Sequence, residues 1–405
     1  NVSPYTVNSA QLDAYVPLPS TDYSATVQAW DNCGHVFKSS FALGVSGSAA
    51  GYLYGSYGSS DQGIAKLDVA DDGSLINSNG TDDPPISASA GAFSIASGPG
   101  GWFVYVSADK GIYGFQVNPA DGSLTPIVGS PFASPQSVTV QVDPSGNFLY
   151  SVGNNITTYR INRSSGALTA TNKSTSIPAG ASQFTATNQY FYLLGSSQPV
   201  EILGYKLDSN TGALSAVPGS PYSNLGSGTQ MLNVLTASGK YLFAGADLIS
   251  SNTINGEIFT FSIDNSTGAL SMIARPSLLA SQENEQLTNI WADAQGKYAW
   301  ALWQDTNGSG TTIAAYDIDS DGSLVPTGFA VASPYPGAFN YLQEDSSGEH
   351  LFSFWEDSLN QGVSTWNISN GDVSMSSHLG LAQSFPSFAS LAMQNLETLV
   401  RKHPN

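Results

Sequence analysis

The chain alternates short runs of β-branched and aromatic residues with clusters of Gly, Asn, Asp, Ser and Pro over nearly its whole length. Residues 137–172 show the unit most clearly. "SVTVQVD" alternates with period two, "PSG" supplies a turn, "NFLYSVG" and "ITTYRIN" follow, "SSG" turns again, and "ALTATN" closes the unit. Alternating runs of this length between turn residues read as strands. Each unit therefore predicts four antiparallel strands.

The unit recurs along the chain. Second strands are expected at "GYLYGSYG" (51–58), "WFVYVSA" (102–108), "NFLYSVG" (147–153), "YFYLLG" (190–195), "KYLFAGA" (240–246), "KYAWALW" (297–303) and "EHLFSFW" (349–355). Third and fourth strands follow in phrases such as "GIYGFQVNPADGSL", "EILGYKLDSNTGAL" and "EIFTFSIDNSTGAL". The turn inside each phrase ends on Gly, as a tight hairpin with a residue at positive φ requires. Seven complete units start near residues 41, 91, 136, 182, 229, 286 and 337. The ends hold a further partial set. "DAYVPLP" (13–19), "ATVQAWDN" (25–32) and "HVFKSS" (35–40) match second, third and fourth strands, and "PSFASLAM" (386–393) matches a first strand.

Repeated four-stranded units of this size predict an all-β fold, a β-propeller of four-stranded antiparallel blades. Joined, the two ends complete an eighth blade and close the ring, so eight blades are expected, with seven as the alternative. Residues 1–405 form one domain, with 13–40 and 386–393 together as the closing blade. "ETLVRKH" (397–403) is read as a helix-tolerant tail.

Composition narrows the partners. Acidic residues number 31 against 12 basic ones, a formal charge of −19, which disfavours nucleic acid and anionic lipid. No run of 18 or more apolar residues appears, so no membrane span is expected. The one cysteine, Cys33, excludes an internal disulfide and a Cys-based metal site. The polar N-terminus "NVSPYTVNSA" lacks an initiator Met, which a removed signal peptide or a trimmed sequence would equally explain; a secreted or periplasmic protein is expected. A monomer is expected. Eight N-x-S/T sequons occur, at Asn1, Asn79, Asn155, Asn162, Asn172, Asn265, Asn307 and Asn367.

The phrases "DGSL…GSPF", "TGAL…GSPY" and "VDPSGNFLY" resemble the β-propeller lactonase family, which includes 6-phosphogluconolactonase-like propellers and carboxymuconate-cyclising enzymes. The likeness covers nearly the whole chain. It implies lactone hydrolysis at the mouth of the central channel, where the family uses His, Arg and Glu. The first-strand openings here ("SPQSVTV", "GASQFTA", "GTQMLNV", "NEQLTNI", "PGAFNYL" and "FPSFASL") contain no His or Arg. His35, His350, His378 and His403, and Arg160, Arg163, Arg275 and Arg401, all fall elsewhere.

The face formed by second-to-third and fourth-to-first connections is the place to look for a site, because function concentrates on variable loops held by a rigid frame. Acids fall there at Asp61, Asp109, Asp247, Asp305, Glu356 and Asp357. With no His in place, the candidate general bases are Glu283, Glu285 and Glu344, since burial raises a carboxyl toward neutrality. Candidate ligand-binding residues are Gln183, Gln230, Asn233, Gln286, Asn289, Asn340 and Gln343, whose amides suit hydroxyl groups. Trp303 and Trp355 are candidates for stacking on a sugar ring. No metal site and no cofactor are expected. A hard cation such as Ca²⁺ would need six to eight oxygens, and no spaced loop supplies them. Three readings stay open: solvated loop caps and a water-filled channel, a sugar or sugar lactone, and a cation. The function expected is hydrolysis of a sugar lactone; the alternative is a non-catalytic exported propeller that binds a carbohydrate or a protein partner on its acidic face.

Overall fold

A computed structural model describes residues 13–16, 22–30, 36–44, 51–57, 63–70, 72–76, 92–98, 101–108, 110–119, 121–134, 137–178, 184–186, 189–195, 201–223, 229–250, 253–274, 285–293, 295–305, 310–332, 338–345, 348–356, 361–381, 388–395 and 398–401. Every regular element among them is a strand. From the N-terminus these are β1 (Asp13–Val16), β2 (Asp22–Trp30), β3 (Val36–Gly44), β4 (Gly51–Tyr57), β5 (Gly63–Val69) and β6 (Leu75–Ile76).

Six antiparallel sheets of four consecutive strands follow. They are β7–β10 (Ala92–Ser97, Phe103–Ala108, Gly111–Val117, Leu124–Pro126) and β11–β14 (Ser137–Val142, Phe148–Gly153, Asn155–Ile161, Leu168–Ser176). Next come β15–β18 (Phe184–Ala186, Tyr190–Gly195, Glu201–Leu207, Leu214–Ala216) and β19–β22 (Thr229–Ser238, Tyr241–Ser250, Thr253–Ile263, Leu270–Ala274). The last two are β23–β26 (Glu285–Ala292, Tyr298–Asp305, Thr311–Ile318, Leu324–Ala332) and β27–β30 (Ala338–Glu344, His350–Glu356, Gln361–Ser369, Asp372–Leu381). The chain ends in β31 (Phe388–Asn395) and β32 (Thr398–Arg401).

Among the described residues the expected eighth blade is not formed. β31 pairs with β4, giving one more four-stranded sheet in the order β31-β4-β5-β6. The residues expected to lead that unit, from 41 onward, belong instead to the β2–β3 hairpin, whose nine-residue register runs from Asp22↔Gly44 to Trp30↔Val36. Pairing across a five-residue connection has little loop to close, and it takes residues 36–44 out of the neighbouring sheet. β1 pairs with β32, so "TLVR" is a strand and not a helical tail.

First strands touch in order around one axis: β31 lies beside β7 and β27, β7 beside β11, and β23 beside β19 and β27. The core sits between sheets, because each second strand is buried on both faces. Tyr52 and Tyr54 pack toward Val104, Val106 and Phe115, while Leu53 between them packs toward Phe352 and Phe354. Burial on both faces is why these strands read as unbroken apolar runs.

Two devices hold the blades, one within a sheet and one between neighbouring sheets. At the end of a first strand an aspartate caps the next turn: Asp143 Oδ1 accepts from the Phe148 amide at 2.7 Å, and Asp293 Oδ1 from the Lys297 and Tyr298 amides at 2.6 and 3.0 Å. The second device is a glycine in each third-to-fourth-strand turn, all seven at positive φ between 69° and 90°. Each turn docks on the first ring of the preceding sheet's second strand. Gly122 meets Tyr52, Gly166 Phe103, Gly212 Phe148, Gly268 Tyr190, Gly322 Tyr241, Gly371 Tyr298 and Gly73 His350. A Cβ at any of the seven would come within 2.3–2.7 Å of that ring. The turns are further held by hydroxyl and indole donors: Tyr54, Tyr105 and Tyr192 donate to the carbonyls of Gly122, Gly166 and Gly268, and Trp300 Nε1 to that of Gly371.

Candidate functional site

A first strand begins at one end of the axis and finishes at the other, after six to ten residues in most sheets. Six of these strands carry a register shift near their starting end, where one residue has no opposite number: Phe93, Val138, Asn233, Thr288, Asn340 and Ala389. Such bulges re-aim side chains and free backbone groups. The residue before the bulge turns its amide to the preceding sheet. Leu287 N donates to Asp247 Oδ1 at 3.2 Å, and Phe339 N to Thr311 Oγ1 at 3.2 Å.

Asp247 is 4 % exposed. Its second oxygen, Oδ2, accepts from Gln286 Nε2 at 2.9 Å, so it ties β20 to the opening of β23. Burial raises its carboxyl above the ordinary range, and the two hydrogen bonds only partly oppose that. Glu285 opens β23 directly opposite Asp305, the last residue of β24. Its Oε2 is buried without a hydrogen-bond partner. Burial first, and the Asp305 charge second, push the Glu285 carboxyl up. At the starting end of β23 the fold thus combines a carboxyl of raised proton affinity, a neighbouring carboxylate and an amide held in place by a third acid. A carboxylate of raised proton affinity is a stronger base than an ordinary one.

Other candidates fall elsewhere. Glu344 is the last residue of β27, not near its start. It accepts from Trp291 Nε1 at 3.5 Å, and Trp291 lies at the far end of the neighbouring β23. Glu344 and Glu285 therefore stand at opposite ends of adjacent strands, about 20 Å apart along the axis. Gln343, whose Nε2 donates to the Glu344 carbonyl at 3.3 Å, shares that remote end. Trp303 is 1 % exposed and lies opposite Leu287, and a Cβ on Gly256 would meet both residues. Trp355 is buried too: its ring lies on His378 with centroids 4.9 Å apart, and its Nε1 donates to His378 Nδ1 at 3.2 Å. Both rings were expected on the face because they end second strands. Those strands are buried on both sides, so neither indole is free to stack on a ligand.

Asn289 follows the bulge in β23 and is half-buried. Gln230 and Asn233 lie on β19 and Asn340 on β27, Asn233 and Asn340 at bulge positions. Glu283 and Gln183 lie outside the described residues. Two features were missed from the sequence: the bulge, whose one-residue surplus is hidden in strands of unequal length, and His378 as the partner of Trp355. Burial lowers the His378 imidazole's proton affinity. Among the described residues no group of three or more His, Cys, Asp or Glu side chains is arranged to hold a metal ion, and no helix is long and apolar enough to cross a membrane.

Residues 74–184 match a family model described as "Lactonase, 7-bladed beta-propeller". Among curated proteins no sequence matches this chain. Solved structures share the fold. A proposed 6-phosphogluconolactonase from Bacteroides uniformis superposes with a TM-score of 0.62 at 16% identity, covering 85% of this chain and 99% of that one. The periplasmic gluconolactonase of Pseudomonas aeruginosa gives a TM-score of 0.60 at 12% identity, with 85% and 99% covered. A proposed 6-phosphogluconolactonase from Bacteroides fragilis gives 0.59 at 15%, with 84% and 100% covered.

Proposed function

From a propeller whose residues 74–184 match the lactonase family, we propose hydrolysis of a sugar lactone at the end of the axis where the first strands begin. The observation that carries this reading is Glu285, a raised carboxyl with one buried oxygen left without a hydrogen-bond partner. In the reaction Glu285 takes a proton from water as the water oxygen bonds to the lactone carbonyl carbon. The tetrahedral intermediate then breaks its bond to the ring oxygen, which receives the proton back from Glu285. One water is consumed and an open-chain hydroxy acid leaves. Gln286, fixed by Asp247, and Gln183, Gln230, Asn233, Asn289 and Asn340 are the groups proposed to bind the sugar hydroxyls, with Glu283 a second acid on the same segment. The protein is proposed to work as an exported monomer, in the compartment of its Pseudomonas neighbour.

Proton release from a panel of five- and six-membered sugar lactones tests this. At least one lactone should open faster than in buffer alone. If none does, the catalytic reading fails. Saturable binding of the same lactones without turnover would then make the chain a carbohydrate-binding propeller.

A further inference from the structure

Most of the described Lys and Arg side chains lie at the end of the molecule remote from Glu285. Eight Lys and Arg side chains are described: Lys66, Lys110, Arg160, Arg163, Lys173, Lys206, Lys240 and Lys297. Six of them sit at or next to the first-to-second and third-to-fourth turns. Lys66 donates to the Asp121 carbonyl at 2.6 Å, Arg160 to that of Asn210, and Lys206 to that of Ser266 at 3.4 Å, each clamping the next blade's turn. Lys240 reaches the Ser320 carbonyl at 3.5 Å, Arg163 holds Ser145 and Asn147, and Lys297 lies 4.5 Å over the Tyr298 ring. Lys173 is on an outermost strand. Of these eight, Lys110 alone lies at the starting end of the first strands, in the β7–β10 sheet across the ring from β23. Glu285, Asp305 and Asp247 occupy that same end, as does Glu201 at the start of β17.

We infer that the site takes an uncharged sugar lactone and rejects its phosphorylated counterpart, although structures of its fold include proposed 6-phosphogluconolactonases. This rests on the lactonase reading above. A phosphate dianion brought beside Glu285 and Asp305 meets like charge with no described guanidinium or ammonium to bind it, and phosphate recognition depends on such donors. An uncharged ring pays no such penalty. The same charges favour departure of the product, because opening a neutral lactone creates a carboxylate next to them.

The test compares kcat/KM for glucono-1,5-lactone and its 6-phosphate on the whole chain. The neutral lactone should be preferred about tenfold or more at 10 mM salt, and the gap should narrow toward 1 M salt as the Debye length falls from ~30 to ~3 Å. Asp305→Lys should shrink the preference at low salt by lowering the barrier to the phosphorylated lactone. Equal or better turnover of the phosphorylated lactone by the unmodified protein overturns this inference and leaves the lactonase reading standing. Turnover of neither lactone, with none in the wider panel, overturns both.

Discussion

Gly73 sits on His350: a Cβ on Gly73 would lie 2.3 Å from His350 Cδ2. The contact joins the sheet β31-β4-β5-β6 to the sheet β27–β30. At the six equivalent junctions the ring beneath the glycine is Tyr or Phe. Here an imidazole takes that place, with Asp345 Oδ2 at 3.0 Å from its Nδ1. The ring at this one junction is therefore titratable, and its Asp345 partner lies in its own sheet.

Stability should follow the charge of that imidazole. The Asp345 hydrogen bond is the main cause that raises His350 above 6.5, with Asp345, Glu349 and Asp72 charges adding to it and burial opposing it. A group raised in the folded state adds stability that is full below the unfolded value and is lost as pH rises through the folded one. Tm should thus decline on the alkaline side of pH 6.5, and His350→Phe, which restores the ring used elsewhere, should flatten that decline. At the acid end the sign reverses. Turn aspartates such as Asp264, held down to about 2 by the Ser266 and Thr267 hydrogen bonds, add stability above 3.8 that is lost as pH falls toward 2. A Tm–pH series on the parent chain and His350→Phe checks both limbs.

The docked glycines differ from the merely left-handed ones. Gly268 has φ +75° and a Cβ there would lie 2.4 Å from Tyr190, whereas Gly239 has φ +55° and nothing within 4 Å. Gly239→Ala should cost about 1 kcal/mol, the backbone term alone, while Gly268→Ala adds overpacking and should cost about 3 kcal/mol. Urea denaturation of the two variants separates the terms, and equal losses would mean that the turns are not seated on the rings.

Trp303 should matter to stability and not to ligand binding. Truncation to Ala should remove about 4 kcal/mol. Trp303→Phe should cost far less, within about 1.5 kcal/mol, because the buried Nε1 it deletes has no hydrogen-bond partner. Denaturation measures the stabilities, and an unchanged KM in Trp303→Phe checks the separation from the site.

Much of the blade was legible in the sequence, because its signals are local. "NFLYSVG" announced β12 through apolar residues on both faces, and "DGSL" and "TGAL" announced hairpins through glycines that must adopt positive φ. The eighth blade was not legible correctly. Whether "FALG" or "FASLAM" pairs with "GYLYGSY" depends on competition between a local hairpin and a strand more than 300 residues away, and β pattern alone is the same for both. The candidate site was partly legible. The placement of Glu285 and Gln286 at the opening of β23 was legible because acids and amides cluster before an apolar strand. Glu344 was misplaced because its position along β27 depends on where the strand starts, and Trp303 and Trp355 because burial on both faces hides the usual polar–apolar alternation.

The most direct measurement is the pH profile of lactone hydrolysis for the parent chain, Glu285→Gln and Asp305→Asn, on samples of matched thermal stability. The parent rate should rise through an apparent pKa above the ordinary Glu value of 4.5. Asp305→Asn should move that limb to lower pH, since the neighbouring charge is the second cause of the shift, and Glu285→Gln should lower kcat about a hundredfold or more. A Glu285→Gln protein that hydrolyses the lactone at the parent rate, with the same pH profile, would contradict the account.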